Sequence, residues 1–440
     1  MTSQRSHTPA RLLIAAAVLG TGAALTVPAP ASAEASAVYA QARPTAAQQA
    51  SIPGTRTRSA QAGSVVSSRR IADLTAQQVV SELQGKIDSS QVRYGVTAYQ
   101  VVYRTTNSTG EPTTASQLLV LPKTFGRRLP TVSWLHGTIA YRKDVASENP
   151  AADDRLAAYL LASTGRAVSA PDYVGLGAGE GFHPYGDPRA TVAATVDGLR
   201  AARAFVRRSG RELDRKVQVS GFSQGGPATM LVGRALQEEG ADRYFRLGAL
   251  APVAGPFHLS AFEAAAADDK IAKSGLYLAY FATAWNKTYG LYGSPGEAFR
   301  APYDRIVEEL FDGDHTTEQI AGALPPASKD LFTENFLDRI RTPGGVLKNR
   351  LHALDTTCDW KPDVPVSLFH ARGDKDVDAS HSAYCAEQLT DNGADFRLTD
   401  VGEYDHNKSV GQALPRIVRF FDEVADADAD REAPGRPRTR

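Results

Sequence analysis

The stretch 217–226, Val-Gln-Val-Ser-Gly-Phe-Ser-Gln-Gly-Gly, constrains this chain more than any other. Val217 and Val219 read as a short buried strand. Gly221-Phe222-Ser223-Gln224-Gly225 fits G-x-S-x-G, and Ala228, Met230, Leu231, Val232, Ala235 and Leu236 read as an apolar helix. Strand, sharp turn and helix in that order push the serine into strained backbone, and glycine is needed two positions to either side, where a side chain would meet the passing chain. Ser223 is then expected at a strand end, beside helix N–H groups that lack partners. The flanking pattern favours a nucleophile over an ordinary Gly-rich turn with a solvated serine.

The chain has 440 residues, room for one large domain or two ordinary ones, and 49 basic against 49 acidic side chains. Balanced charge gives no reason to expect nucleic acid or an anionic membrane as partner. Arg5 and Arg11, the apolar run 12–27 and Ala31-Ser32-Ala33 read as a secretory signal peptide over 1–33. The run is too short for a membrane span. A secreted, extracellular protein without a transmembrane anchor is expected. Its two cysteines, Cys358 and Cys385, are expected to pair in an oxidising compartment. Two separate buried thiols are the alternative.

Residues 34–70, rich in Ala, Ser, Gln, Thr and Pro, read as a flexible leader or propeptide. Thr75 to Gln78 fits a capping box opening a helix to about Lys86. Two strands, 96–103 and 116–121, suggest a hairpin at the antiparallel edge of a mixed sheet. From Pro130 strands (131–135, 167–170, 217–220, 247–253) alternate with helices, which argues an α/β fold with a mostly parallel sheet covered on both faces. Between 256 and 359 the alternation stops. The residues there look helical and aromatic (Tyr277, Tyr280, Phe281, Trp285, Tyr289, Tyr292), as in a cap inserted after the sixth strand. Strand, helix, strand and helix resume at 365–370, 380–390, 396–401 and 414–424. The domain is bounded at 71–425, and 426–440 reads as a disordered tail.

A serine hydroxyl needs a base, usually histidine, held by a carboxylate. In hydrolases with this elbow the three arrive in the order Ser, Asp or Glu, His, each at a strand end. After the insert, the first strand ending in acids is followed by Asp374 and Asp376. Asp374 is favoured by His370-x-x-x-Asp374-x-x-Val377, which leaves Asp376 as a solvated loop acid. His406 is the one histidine of nine beyond the last strand, on a loop before the final helix. A surface imidazole is the alternative there. His370 and His381 read as structural. Oxyanion donors are expected from the backbone of Gln224, after the serine, and of Thr138, with Gly137 the nearest alternative.

His136-Gly137-Thr138, Pro171-Asp-Tyr-Val-Gly175-Leu-Gly177 leading to His183-Pro184-Tyr185, the Gly-Phe-Ser-Gln-Gly-Gly elbow and Asp359-Trp360-x-Pro362 together resemble the secreted lipase/esterase branch of the α/β-hydrolase superfamily. That branch is similar to fungal lipase-A-type secretory lipases and their actinobacterial relatives, and the resemblance runs from about Leu74 to Phe421. It implies an α/β-hydrolase fold with an inserted helical cap and a Ser-His-Asp carboxylic-ester hydrolase. One departure is Ala371, where a glycine usually follows the acid-strand histidine.

No H-E-x-x-H, cysteine cluster or phosphate loop is visible, so no cofactor or metal is expected. The leading expectation is a monomer cleaving a small-molecule or lipid ester. A serine peptidase on the same scaffold is the runner-up, and a catalytically silent surface-binding protein the third reading. Glu308, Glu309, Asp312 and Asp314 in the insert, which a peptidase for cationic substrates would want, read as a solvated helix face. The insert leaves the sheet at the edge where the three side chains project, so it is expected to cover the serine and set substrate choice. The alternative is a cap whose aromatics pack only its own core.

Overall fold

The computed structural model of the chain describes residues 61–238 and 240–432. The expected signal peptide, the leader through residue 60 and residues 433–440 lie outside the described residues. Among the described residues nine strands form one sheet: β1 (Val65–Leu74), β2 (Val96–Thr106), β3 (Pro112–Pro122), β4 (Arg128–Leu135), β5 (Ala167–Val174), β6 (Glu212–Phe222), β7 (Arg246–Val253), β8 (Val366–His370) and β9 (Phe396–Asp400). Their spatial order is β1-β2-β3-β5-β4-β6-β7-β8-β9. The pairings among β1, β2, β3 and β5 are antiparallel, and those from β5 through β4 to β9 are parallel.

Side-chain alternation along the central strands divides the core into two layers. Leu129 and Leu135 of β4, Val217 and Val219 of β6 and Leu250 of β7 pack with α3 (Pro188–Arg207) and α4 (Gly225–Gln237). Val132 and Trp134 of β4 and Ala249, Ala251 and Val253 of β7 face the other way, toward α1 (Ala76–Leu83), α2 (Asp153–Ser163) and α14 (His406–Glu432). Burial on both faces is why these strands read as apolar runs. The capping box of α1 is formed, with the Gln78 N–H donating to Thr75 Oγ1 at 3.2 Å and the Thr75 N–H to Gln78 Oε1 at 2.8 Å.

Three boundaries differ from expectation. The fold starts at Val65 rather than near 71, because β1 adds to the free edge of β2. No residue of β1 is fully buried, so the strand carries no apolar alternation to read. The insert consequently follows the seventh strand, not the sixth. The last helix starts at His406 and runs to Glu432, so His406 is its first residue rather than part of a loop, and 426–432 are helical rather than a disordered tail. Pro415 looks like a helix start but lies inside the helix, and Asp405 Oδ1 caps the true N-terminus by accepting the Lys408 N–H at 2.9 Å. Further on, Asp428 accepts Lys216 Nζ of β6 at 2.8 Å, which ties the charged end of the helix to the sheet.

The insert contains eight α-helices among the described residues: α5 (Leu259–Ala267), α6 (Ser274–Tyr289), α7 (Pro295–Ala298), α8 (Val307–Leu310), α9 (Thr317–Ala323), α10 (Ser328–Leu331), α11 (Glu334–Arg341) and α12 (Gly345–Asp355). Phe281, Trp285, Phe299, Phe332 and Phe336 make a core of their own there. A Cys358–Cys385 disulfide joins the segment after α12 to α13 (Ala379–Asp391).

Candidate active site

Ser223 has φ +56°, a left-handed conformation that a non-glycine residue holds only when its surroundings force it. The Ser223 N–H donates to Val253 O on β7 at 3.0 Å, and Ser223 O accepts the Gly226 N–H at 2.8 Å, which pins the turn from both sides. A Cβ on Gly225 would lie 2.0 Å from Leu135 O, so the elbow closes against β4 only with glycine there. Gln224 is the N-cap of α4, where a helix leaves its first N–H groups without carbonyl partners.

His406 Nε2 is 2.9 Å from Ser223 Oγ, and His406 Nδ1 is 2.6 Å from Asp374 Oδ2. All three side chains are buried, and the imidazole packs on Phe222 with ring centroids 4.6 Å apart. Asp374 Oδ1 accepts two backbone N–H groups, from Asp376 and Val377, each at 2.9 Å. With both oxygens occupied, the carboxylate has one orientation and the imidazole is held with Nδ1 toward it.

Asp376 is not the solvated loop acid expected. It is buried, and its Oδ2 accepts Lys273 Nζ at 2.8 Å and the Tyr277 hydroxyl at 3.1 Å, both from the insert. Nothing in its own segment signals those partners, about a hundred residues away. His370 and His381 lie off the Ser223–His406–Asp374 row. Burial lowers His381 to about 4, and its Nδ1 accepts the His258 N–H at 3.3 Å.

The loop after β4 lies directly against the serine: a Cβ on Gly137 would sit 3.3 Å from Ser223 Cβ. Thr138 follows, its hydroxyl 2.8 Å from that of Tyr185. Two residues earlier, His183 meets the other expected oxyanion residue. Its Nδ1 is 2.9 Å from Val174 O and its Nε2 3.5 Å from Gln224 Nε2. A carbonyl partner makes Nδ1 the donor, so Nε2 is the acceptor facing the Gln224 amide. Burial pushes His183 down to about 3, in keeping with a neutral ring. The His-Pro-Tyr run thus touches both Gln224 and Thr138. It is held in place by Gly175 (φ +80°), whose added Cβ would collide with the Phe182 carbonyl carbon at 2.2 Å. Sequence reasoning singled the run out without giving it this part.

Residues 143–271 match the family model described as secretory lipase. No curated protein matches the chain in sequence. Among solved structures, the rice cell wall degrading esterase LipA from Xanthomonas oryzae is 26% identical, with a TM-score of 0.72 over 83% of this chain and 99% of that one. The chain is an α/β hydrolase of the lipase/esterase kind, similar to the secretory lipases. A putative hydrolase from Legionella pneumophila shares the fold at 24% identity, covering 84% of this chain and 100% of that one with a TM-score of 0.76. So does Candida antarctica lipase A in its closed state, at 16% identity, 83% coverage of each chain and a TM-score of 0.61.

Beside Ser223 and His406 the hydrolase has a cavity of about 290 Å³. Its scaffold side includes Trp134, Gly137, Thr138 and Phe222, and its cap side Lys273, Leu276, Tyr277, Tyr280 and Thr317. The cap aromatics therefore divide: Tyr277 and Tyr280 line the cavity, Tyr280 packing also into the cap core, whereas Phe281 and Trp285 pack in that core without lining the cavity. Tyr280 also donates to Ile139 O at 3.0 Å and stacks on Tyr185 at 4.4 Å, linking α6 to the Thr138 loop. Asp144, Asp153 and Asp154 also line the cavity. All three acids are engaged: Asp144 accepts the Asn149 amide at 3.4 Å, Asp153 accepts Lys86 Nζ at 2.7 Å and Asp154 the Trp134 indole N–H at 2.8 Å. Glu308, Glu309, Asp312 and Asp314 do not line it.

Proposed function

We propose that this hydrolase is exported and cleaves carboxylic esters by acyl transfer through Ser223. The row Ser223–His406–Asp374, with 2.9 Å and 2.6 Å between its members, carries the reading. Ser223 Oγ attacks the ester carbonyl while His406 Nε2 takes the hydroxyl proton, and Asp374 stabilises the imidazolium that forms. The backbone N–H groups of Gln224 and Thr138 receive the charge developing on the carbonyl oxygen. The tetrahedral intermediate then expels the alcohol, which leaves with the proton from His406. Water, deprotonated by the same nitrogen, hydrolyses the acyl-serine and frees the acid and the serine.

The cavity of about 290 Å³ lies at the small end of ligand pockets, which start at roughly 300 Å³. Its wall of Trp134, Phe222, Leu276, Tyr277 and Tyr280 favours an apolar group on the substrate. The matching family and the esterase neighbour support the same reaction class.

The test is a panel of p-nitrophenyl esters and aminoacyl p-nitroanilides, with wild-type protein and Ser223→Ala. Ester turnover that falls on the order of 10⁶-fold in the variant is expected. Turnover of the anilides alone would replace the ester reading with a peptidase, and activity surviving in Ser223→Ala would remove Ser223 as nucleophile.

A further inference from the structure

Asp374 and Asp376 are two residues apart and face different elements. The first holds His406. The second reaches into the cap, where its Oδ2 takes the Lys273 ammonium at 2.8 Å and the Tyr277 hydroxyl at 3.1 Å. Lys375 O, between them, accepts the Ala272 N–H at 3.0 Å. One residue on, Val377 packs with Phe262 of α5 and Tyr277 of α6 in a small apolar cluster. The loop that bears Asp374 is therefore fastened to the start of α6 and the two residues before it by an ion pair, two hydrogen bonds and an apolar contact.

That turn is also cavity wall. Lys273, Leu276, Tyr277 and Tyr280 line the cavity beside Ser223, and each lies on or immediately before α6. The carboxylate of Asp376 is 7% exposed, so its bond to the buried Tyr277 hydroxyl lies where water screens little. Lys273 is half-exposed and supplies charge from the rim, while Tyr277 is buried and supplies direction. Lys273 lies over the Tyr277 ring at 5.7 Å, so the two donors also hold each other.

We propose that Asp376 is a specificity-determining positioning residue: it clamps the first turn of α6 to the Asp374 loop and so fixes how large an acyl group the cavity admits. The inference rests on the ester-hydrolase reading above. With the clamp closed, Leu276 and Tyr277 stand at a set distance from Ser223 and the small cavity discriminates against long acyl chains. With it open, α6 keeps its contacts with the rest of the cap but loses its tie to the acid loop, and longer chains enter. A clamp of this kind changes the ranking of substrates, whereas damage to Asp374 lowers all of them together.

The experiment measures kcat/KM for p-nitrophenyl acetate, butyrate and octanoate with wild-type protein, Asp376→Asn, Lys273→Met and the double variant. Each single change is expected to raise the octanoate-to-acetate ratio at least fivefold. The double is expected to raise it no further than the larger single, because both remove the same bond. Lys273→Arg keeps the charge and is expected to restore the wild-type ratio. Ratios within twofold of wild type in both single variants would overturn the proposal, as would an equal loss on all three esters. If Asp376→Asn does not fold, Lys273→Met together with Tyr277→Phe gives the same test from the cap side. Residual ester hydrolysis in Ser223→Ala would defeat the underlying reading, whereas a serine-dependent enzyme with unmoved ratios would defeat the clamp alone.

Discussion

His406 Nε2 stands 2.9 Å from Ser223 Oγ across 183 residues of sequence. The two come from different parts of the fold, a strained turn at the end of β6 and the first residue of α14. Asp374, on the loop after β8, fixes the imidazole from the other side at 2.6 Å. Each member of the row has its own anchor: Val253 O for the serine turn, two backbone N–H groups for the carboxylate, and the Asp405 cap for the helix bearing the histidine.

Asp374→Asn is expected to lower kcat by roughly 10⁴. An amide in that place turns an N–H toward His406 Nδ1 and favours the tautomer whose Nε2 cannot take the serine proton. Steady-state kinetics on a short ester check this, with circular dichroism to show that the fold survives. A loss of less than tenfold would remove Asp374 from the row.

Tyr185→Phe takes away the hydroxyl 2.8 Å from that of Thr138. If this contact holds the Thr138 loop for the oxyanion, kcat falls about tenfold while KM stays within twofold, since the lost interaction matters most as charge develops. Thr138→Val is expected to match it, and the pair to be non-additive. A KM effect with unchanged kcat would make the contact part of ground-state binding instead.

Leu276→Ala and Phe336→Ala separate the two sides of the cap. Leu276 lines the cavity, so its truncation is expected to shift preference toward longer acyl chains. Phe336 is buried in the cap core, stacked on Phe332 at 5.5 Å, and its loss is expected to cost about 3–5 kcal/mol of stability while the chain-length profile stays within twofold. Thermal melts and the ester series read the two effects. A changed profile in Phe336→Ala would mean that cap packing and cavity shape are not separable.

Glu263 of α5 is buried with its Oε2 unpartnered, and burial raises its pKa well above the usual carboxylate value. The unfolded chain gives up this proton near pH 4.5 while the folded protein keeps it, so the native state binds more protons over that window. Stability from this group is therefore present in acid and is lost as pH rises. Glu263→Gln, which cannot ionise, is expected to raise Tm at pH 8 and to change it little at pH 4.5. A Tm difference independent of pH would show that Glu263 does not titrate in this way.

Residues acting over a few positions made much of this legible without coordinates. The strand, glycines and helix around Ser223, the capping box at Thr75 and the alternation of strands with helices are local patterns, each imposed by backbone geometry or by burial on both faces of a sheet. Chain order then singled out Ser223, Asp374 and His406 as candidates, because each follows a strand in the parallel part of one sheet. Where a segment is held by partners far along the chain, the sequence is silent. β1 has no fully buried residue and exists because β2 has a free edge. α14 continues past 425 with Asp428 held by Lys216, and starts early because Asp405 caps it despite Pro415 further in. Asp376 looks like any loop acid until Lys273 and Tyr277 are brought to it. His183 and Tyr185 acquire their part only when the turn at Gly175 sets them against Gln224 and Thr138. Local patterns specify elements through forces of short reach along the chain. Which buried polar groups meet is decided by packing, since only the assembled interior removes water and leaves each group the partner that is there.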